Sequence, residues 1–166
     1  MASRKMYRLI PELVPRDLWG RSAFQMLRGK AAWTKKIRPD AITEAGNQCQ
    51  ICSDNAGVLV CHDKWKYNDK ARIATLIGFE VHCRSCDAVT HVGRATQTGG
   101  REQVLMEAVM TLCTVNECKP PVAAKIIADA LEIWMKRSEK RWKIAVAPKL
   151  LETYPELEGL ASFKPS

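Results

Sequence analysis

Two Cys-x-x-Cys pairs are the residues of this chain best suited to chemistry. Cys49 and Cys52 form the first pair, Cys83 and Cys86 form the second, and 30 residues lie between the pairs. Zinc takes four thiolate or imidazole ligands in a tetrahedron, and each pair supplies two sulfurs from one tight turn. The spacing therefore predicts a structural zinc ion (Zn²⁺) that contributes folding energy to a small core. The alternative is four buried thiols without a metal.

A second set of donors follows the same stretches of chain. His62 ends a short apolar run, and Asp87 and His91 are four residues apart, hence one turn apart on a helix. If that helix packs on the strands before it, these three converge, and two imidazoles with a carboxylate suit a divalent cation such as Mg²⁺. Each residue also has a structural interpretation: a hydrogen-bonded His62, a helix-capping Asp87 and a packed His91. Adjacent Asp63 is a candidate base or further ligand, so the catalytic candidates are His62, Asp63 and His91.

Basic and aromatic side chains are interleaved just after His62. Such a pattern suits stacking on bases and contact with phosphates. Two arginines near the second Cys pair could also contact phosphates. Trp65 could instead anchor its segment on the core. The predicted nucleic-acid contacts are Lys64, Trp65, Lys66, Tyr67, Arg84 and Arg94.

The hydrophobic pattern predicts the elements that position these residues. Residues 57–62 and 73–82 are expected as strands around a polar excursion over 63–72. The second Cys pair runs into a short helix. Knuckle, hairpin, knuckle and helix is the order of a treble-clef zinc fold. We predict a small α+β fold with a basic arm and helix (1–40), a zinc core (41–95), C-terminal helices (96–147) and a loosely packed tail (148–166).

The charge of the chain favours a polyanionic partner. The 166 residues carry a net charge of +8, and residues 1–38 hold ten Lys or Arg against two acidic residues. A basic segment of this kind predicts nucleic acid, with a solvated surface as the alternative. No run of 18 apolar residues exists, so no membrane partner is expected. The seven cysteines and the missing secretory signal predict a cytoplasmic protein with reduced thiols.

The motifs together resemble those of HNH-type endonucleases, in particular a bacterial subgroup. The matching stretches are CQIC, LVCHDKWKYND, GFEVHCRSCD and THVGRA. The resemblance implies a treble-clef (ββα-metal-like) zinc core with N- and C-terminal helical extensions, and metal-dependent cleavage of DNA phosphodiester bonds. It places His62, Asp87 and His91 on a reactive metal and puts Asp63 where the family has its general base.

Three positions depart from that family pattern. Gly78 stands where the family has its central Asn, Asp87 replaces a His, and Asp63 replaces the base His. A shift of one residue would make Cys61 the ligand and His62 the base. The alternative function is therefore a catalytically inactive, zinc-stabilised module that binds nucleic acid or a protein partner.

Overall fold

A computed structural model describes residues 7–95 and 101–164, without the side chains of residues 94, 95 and 101. Within these ranges the chain forms a small α+β fold with one three-stranded sheet. The helices are α1 (Ala23–Leu27), α2 (Arg38–Glu44), α3 (Arg84–Thr90), α4 (Val92–Ala95), α5 (Arg101–Asn116), α6 (Pro120–Ser138) and α7 (Pro148–Thr153). A π-helical turn (Trp33–Ile37) leads into α2, and 3₁₀ turns lie at Arg16–Leu18 and Pro155–Ala161.

The sheet has the order β1-β2-β3. Strands β1 (Leu59–Asn68) and β2 (Ile73–Cys83) pair antiparallel, with Leu59 opposite Cys83 and His62 opposite Glu80. Residues 63–68 therefore extend the first strand, where the sequence had predicted a polar excursion. A bulge after Lys64 shifts the register, which the extra residue in β2 explains.

The third strand differs from the prediction of helices alone over residues 96–147. Strand β3 (Lys143–Val146) pairs with β2 in parallel, with Ile73 opposite Lys143. Helix α6 supplies the crossover that a parallel pair requires. Only four residues form β3, which is too short a run for an alternating pattern to reveal.

Two large apolar cores lie around the sheet, and a small third cluster (Ala41, Ala45 and Val81) joins α2 to β2. The first joins α1, the π-helical turn, β2, β3 and the C-terminal segment, and it contains Trp33, Trp142 and Leu157. The second surrounds the cysteine pairs and joins α3, α5 and α6 to Leu9 of the N-terminal arm. The side chain of Asn116 holds that arm, accepting from Leu9 N at 2.9 Å and donating to Leu9 O at 2.8 Å.

The tail is packed rather than loose, which corrects the sequence prediction for residues 148–164. Tyr154, Leu157 and Leu160 are all buried in the first core, because the 3₁₀ turn Pro155–Ala161 aims its leucines at α1 and β3. We expect Leu157→Ala to destabilise the protein by about 2–5 kcal/mol, since the removed side chain leaves a cavity. Denaturant unfolding measures this change. The neighbouring exposed substitution Glu158→Ala is the control, and an equally small effect of both would show that the tail does not contribute to folding.

Candidate metal centres

The first candidate centre is the four-cysteine cluster, formed by Cys49, Cys52, Cys83 and Cys86. Their sulfur atoms all lie within 4.8 Å of one another. The first pair occupies a turn between α2 and β1, closed by hydrogen bonds from Cys49 N to Asp54 O and from Ser53 N to Cys49 O, both 2.8 Å. Cys83 ends β2, and Cys86 lies in the first turn of α3. Two separate elements thus supply two sulfurs each.

Gln50 attaches the first turn to the sheet. Its backbone N–H donates to Val81 O at 2.9 Å, and its side-chain oxygen accepts from Val81 N at 2.8 Å. Two hydrogen bonds therefore attach the turn to β2. This attachment holds the first Cys pair beside Cys83, two residues after Val81.

The chemistry of the four-cysteine cluster fits a metal such as zinc. Sulfurs bound to one zinc at about 2.3 Å are roughly 3.8 Å apart in a tetrahedron, and the Cys52 and Cys83 sulfurs are 3.6 Å apart. Burial opposes ionisation of Cys49, yet hydrogen bonds from backbone N–H groups, including that of Cys52, lower the pKa of its thiol to about 7. A thiolate among buried sulfurs attracts a cation.

The second candidate centre is the His–Asp cluster, formed by His62, Asp87 and His91. One donor atom from each residue lies within 4.8 Å of the other two. His62 comes from β1, Asp87 from α3, and His91 directly follows α3. The rings of His62 and His91 have centroids 4.7 Å apart, and His91 Nε2 is 3.7 Å from Asp87 Oδ1. The structure thus brings together the three residues that the sequence singled out.

The electrostatics of the His–Asp cluster suit a bound cation. Burial, with the nearby imidazoles of His91 and His82, lowers the pKa of His62 to about 3, so this ring is neutral with a free lone pair. His62 Nδ1 and Asp87 Oδ1 are buried and have no hydrogen-bond partner within the described ranges. Buried polar atoms are normally satisfied, so a ligand that accepts their lone pairs fits the site. Two imidazoles and one carboxylate can hold a divalent metal with positions left open.

Asp63 and Cys61 point away from the His–Asp cluster. Asp63 is buried, and its Oδ2 accepts a hydrogen bond from Ala23 N at 2.8 Å, at the start of α1. Burial raises the pKa of Asp63 to about 6. Cys61 packs against the apolar cores on the same side. The alternation of β1 therefore leaves His62, and not Cys61, beside Asp87.

The predicted nucleic-acid contacts are spread over different environments. Lys64 pairs with Glu80, and Lys66 and Arg84 are exposed. Trp65 and Tyr67 pack against the first core, as the alternative interpretation of Trp65 expected. The Tyr67 ring meets Trp142 edge-on at 5.4 Å and lies 4.3 Å below the Arg137 guanidinium. The Arg94 side chain lies outside the described residues.

The sequence analysis assigned no role to Glu80 and did not predict that His82 lies beside His62. His82 is 2% exposed, and its ring stacks on His62 with centroids 5.2 Å apart. Its Nε2 lies 3.5 Å from Glu80 Oε2. Side chains alternate along a strand, so Glu80 and His82 lie on one face of β2. In the pairing with β1, Glu80 is the partner of His62 and His82 is the partner of Val60. The alternation of β2 was therefore the signal that could have placed His82 beside His62.

A cavity of about 920 Å³ opens beside the His–Asp cluster. His62, Asp87 and His91 line one wall. Most of the other lining residues come from the N-terminal 38 residues and include aromatic rings and arginines. Sequence reasoning assigned these aromatics no function, because no motif marks them.

Comparison with known proteins gave no relative: no family model, curated protein or solved structure matches this chain. Among the described residues, no helix is long and apolar enough to cross a membrane.

Proposed function

We propose that this chain is an HNH-like, metal-dependent nuclease that cleaves DNA phosphodiester bonds. The observation that carries the proposal is the His–Asp cluster, in which three donors from two elements converge with two of their atoms buried and unsatisfied. The cluster opens into a cavity large enough for a substrate, since ligand sites commonly have volumes of roughly 300–1,000 Å³. The reduced thiols that this interpretation requires fit a cytoplasmic location.

The order of the elements supports a treble-clef core for this nuclease. A Cys turn precedes the β1–β2 hairpin, and the second Cys pair joins β2 to α3. Helix α3 packs against both strands of that hairpin. In this arrangement zinc in the four-cysteine cluster would join the first Cys turn to the start of α3. It would thereby hold Asp87 and His91 close to His62 of β1.

Each residue has a defined task in this proposal. His62, Asp87 and His91 would hold a divalent cation, which would stabilise the charge on the leaving oxygen as a Lewis acid. His62 and His91 would offer imidazole nitrogens, and Asp87 would offer a carboxylate oxygen that compensates part of the cation's charge. The buried ring of His82 stacks on the ring of His62 and supports it, and Glu80 lies beside His82.

The resemblance assigns the general base of the proposed reaction to Asp63, whose side chain lines the cavity but points away from the His–Asp cluster. Its raised pKa of about 6 suits proton uptake near neutral pH. Its bond to Ala23 N, however, gives the same carboxylate a capping task. Asp63→Asn separates the two tasks, because an amide oxygen still accepts from Ala23 N but cannot take the proton.

Metal content tests the site before any assay of cleavage. We expect the purified chain to hold one zinc and to bind a second divalent ion on addition of Mn²⁺ or Mg²⁺. His91→Ala should keep the zinc and lose the second ion, because His91 is partly exposed and belongs to the His–Asp cluster but not to the four-cysteine cluster. Elemental analysis and titration calorimetry measure both. Arg84→Ala, an exposed change in the first turn of α3, is the control. A wild type that binds only zinc would contradict the nuclease proposal.

The alternative is a zinc-stabilised binding module without chemistry. The capping bond of Asp63 and the presence of Gly78 opposite Lys64 favour it, because neither supplies the residue that the nuclease pattern expects. Such a module would bind DNA without cutting it. Because phosphate contacts release counterions, its affinity should fall steeply between low and moderate salt. A DNA affinity that is insensitive to salt would favour a protein partner instead.

A further inference from the structure

The cavity beside the His–Asp cluster carries a more specific conclusion about the substrate. We infer that it binds an unpaired, single-stranded DNA segment, with bases stacked on Trp19 and Phe24 and phosphates contacted by Arg28 and Arg38. The inference rests on the proposed function for the role of the metal, and on the aromatic and charged walls of the cavity for the ligand.

Aromatic rings form much of the wall. Trp19 and Phe24 are 40% and 41% exposed, whereas Trp33 and Trp134 are buried. Trp19 stacks on Trp134 with centroids 6.2 Å apart and planes 16° apart, and Phe24 meets Trp33 edge-on at 5.5 Å. Each exposed ring is thus supported by a buried one. Rings held in this way lose little side-chain freedom when they stack on a ligand.

The charges on the wall favour an anion. Arg21, Arg28 and Arg38 line the cavity, against the carboxylates of Asp63 and Asp87. Asp63 is already bonded to Ala23 N, and Asp87 belongs to the His–Asp cluster, where a cation would neutralise it.

The two arginines assigned to phosphate differ in how they are held. Arg38 is fixed at the wall, because its Nη2 donates to Leu59 O at 3.1 Å. Arg28 is exposed directly after α1. Guanidinium groups beside aromatic rings are the combination with which proteins hold nucleic-acid strands.

The DNA must be unpaired because stacking on Trp19 or Phe24 requires a base with an exposed face. In a duplex both faces of each base are covered by neighbouring bases, so a ring on a cavity wall reaches a base face only after the base has left the stack. Lys64, Lys66 and Tyr67 on the hairpin do not line the cavity, and Trp65, which does, is packed against the first core. The exposed rings of the wall are therefore those of Trp19 and Phe24.

Binding without added divalent metal tests the inference apart from cleavage. The full-length, zinc-loaded protein is titrated against a fluorescent 12-nucleotide DNA strand and against the same sequence as a blunt duplex. We expect the single strand to bind at least about tenfold more tightly. Phe24→Ala should weaken single-strand binding about 5- to 150-fold, the effect of losing one stacked base, and leave duplex binding within about twofold. Met110→Ala, an exposed apolar change on α5 outside the cavity, should change neither.

A second variant, which changes a charge, distinguishes a loss of DNA contact from a folding defect in Phe24→Ala. Arg28→Gln changes an exposed side chain and should lower the slope of log affinity against log salt by about 0.7 for the single strand, as loss of one phosphate contact predicts. Equal or tighter duplex binding, tighter binding of the matching RNA strand, or single-strand affinity that neither variant changes would overturn the inference. Single-strand binding without cleavage in any cation would overturn the nuclease proposal alone. Duplex cleavage that is unaffected by Phe24→Ala would overturn this inference alone.

Discussion

Cys86→Ser is expected to release the zinc and unfold the protein. Cys86 is 1% exposed and belongs to the second core together with Cys49 and Cys83. Structural zinc contributes an apparent binding free energy of about 10–16 kcal/mol in small domains, whereas a whole domain is stable by only about 5–15 kcal/mol. Loss of one thiolate therefore removes an amount comparable to the total. Elemental analysis, circular dichroism and thermal unfolding of the purified variant measure the outcome.

Cys113→Ser is the matched control for that experiment. Cys113 is also a free, partly buried thiol, but it lies in α5 outside the four-cysteine cluster. Its substitution should leave the zinc content at one per chain and change the melting temperature by a few degrees at most. If Cys86→Ser melted at the wild-type temperature with zinc still bound, the four-cysteine cluster would not be a structural metal site.

The second large effect is expected on DNA cleavage. His91→Ala and Asp87→Asn should each reduce metal-dependent cleavage at least about a hundredfold, because even outer-shell partners of a metal are worth 10–100-fold. Both residues are partly exposed, so these substitutions should leave folding intact. The assay follows nicking of a plasmid and of an oligonucleotide with an unpaired end, in the presence of Mg²⁺, Mn²⁺, Ni²⁺ or Zn²⁺.

Controls and Asp63→Asn complete the cleavage experiment. Met110→Ala should cut at the wild-type rate. A loss in Asp63→Asn on the order of 10²-fold or more would assign the general base to Asp63, whereas wild-type activity would leave it the capping role alone. Wild-type protein that cuts no DNA with any of the four cations would contradict the nuclease proposal and favour the binding module.

Local spacing explains what could be predicted from the sequence. A Cys-x-x-Cys turn and an i, i+4 pair such as Asp87 and His91 are geometric statements about neighbouring residues, so the four-cysteine cluster and the approach of Asp87 to His91 followed from them. The small α+β fold followed from the same local patterns. The meeting of α3 with His62 required one tertiary assumption, that the helix packs on the hairpin, and the structure places it there.

The remaining features depend on contacts between distant parts of the chain. Strand β3 forms because Ile73 pairs with Lys143. No local sequence pattern around either residue identifies the other as its partner. Asp63 caps α1 from 40 residues away. Tyr67 looked like an exposed aromatic between lysines, but Trp142 and Arg137 enclose it. In each case the tertiary environment decides the role that residue type leaves open.

The hydrogen bonds of the N-terminal arm set the order in which this chain can fold during synthesis. Leu9 bonds to Asn116, 107 residues later, Asp17 to Trp142, 125 residues later, and Arg21 to Phe163, 142 residues later. The ribosome must therefore have synthesised the chain as far as Phe163 before all of these hydrogen bonds can form. The hairpin and its cysteines are complete much earlier. Metal binding by these cysteines can thus precede the hydrogen bonds of the arm, which form only after Asn116, Trp142 and Phe163 have left the ribosome.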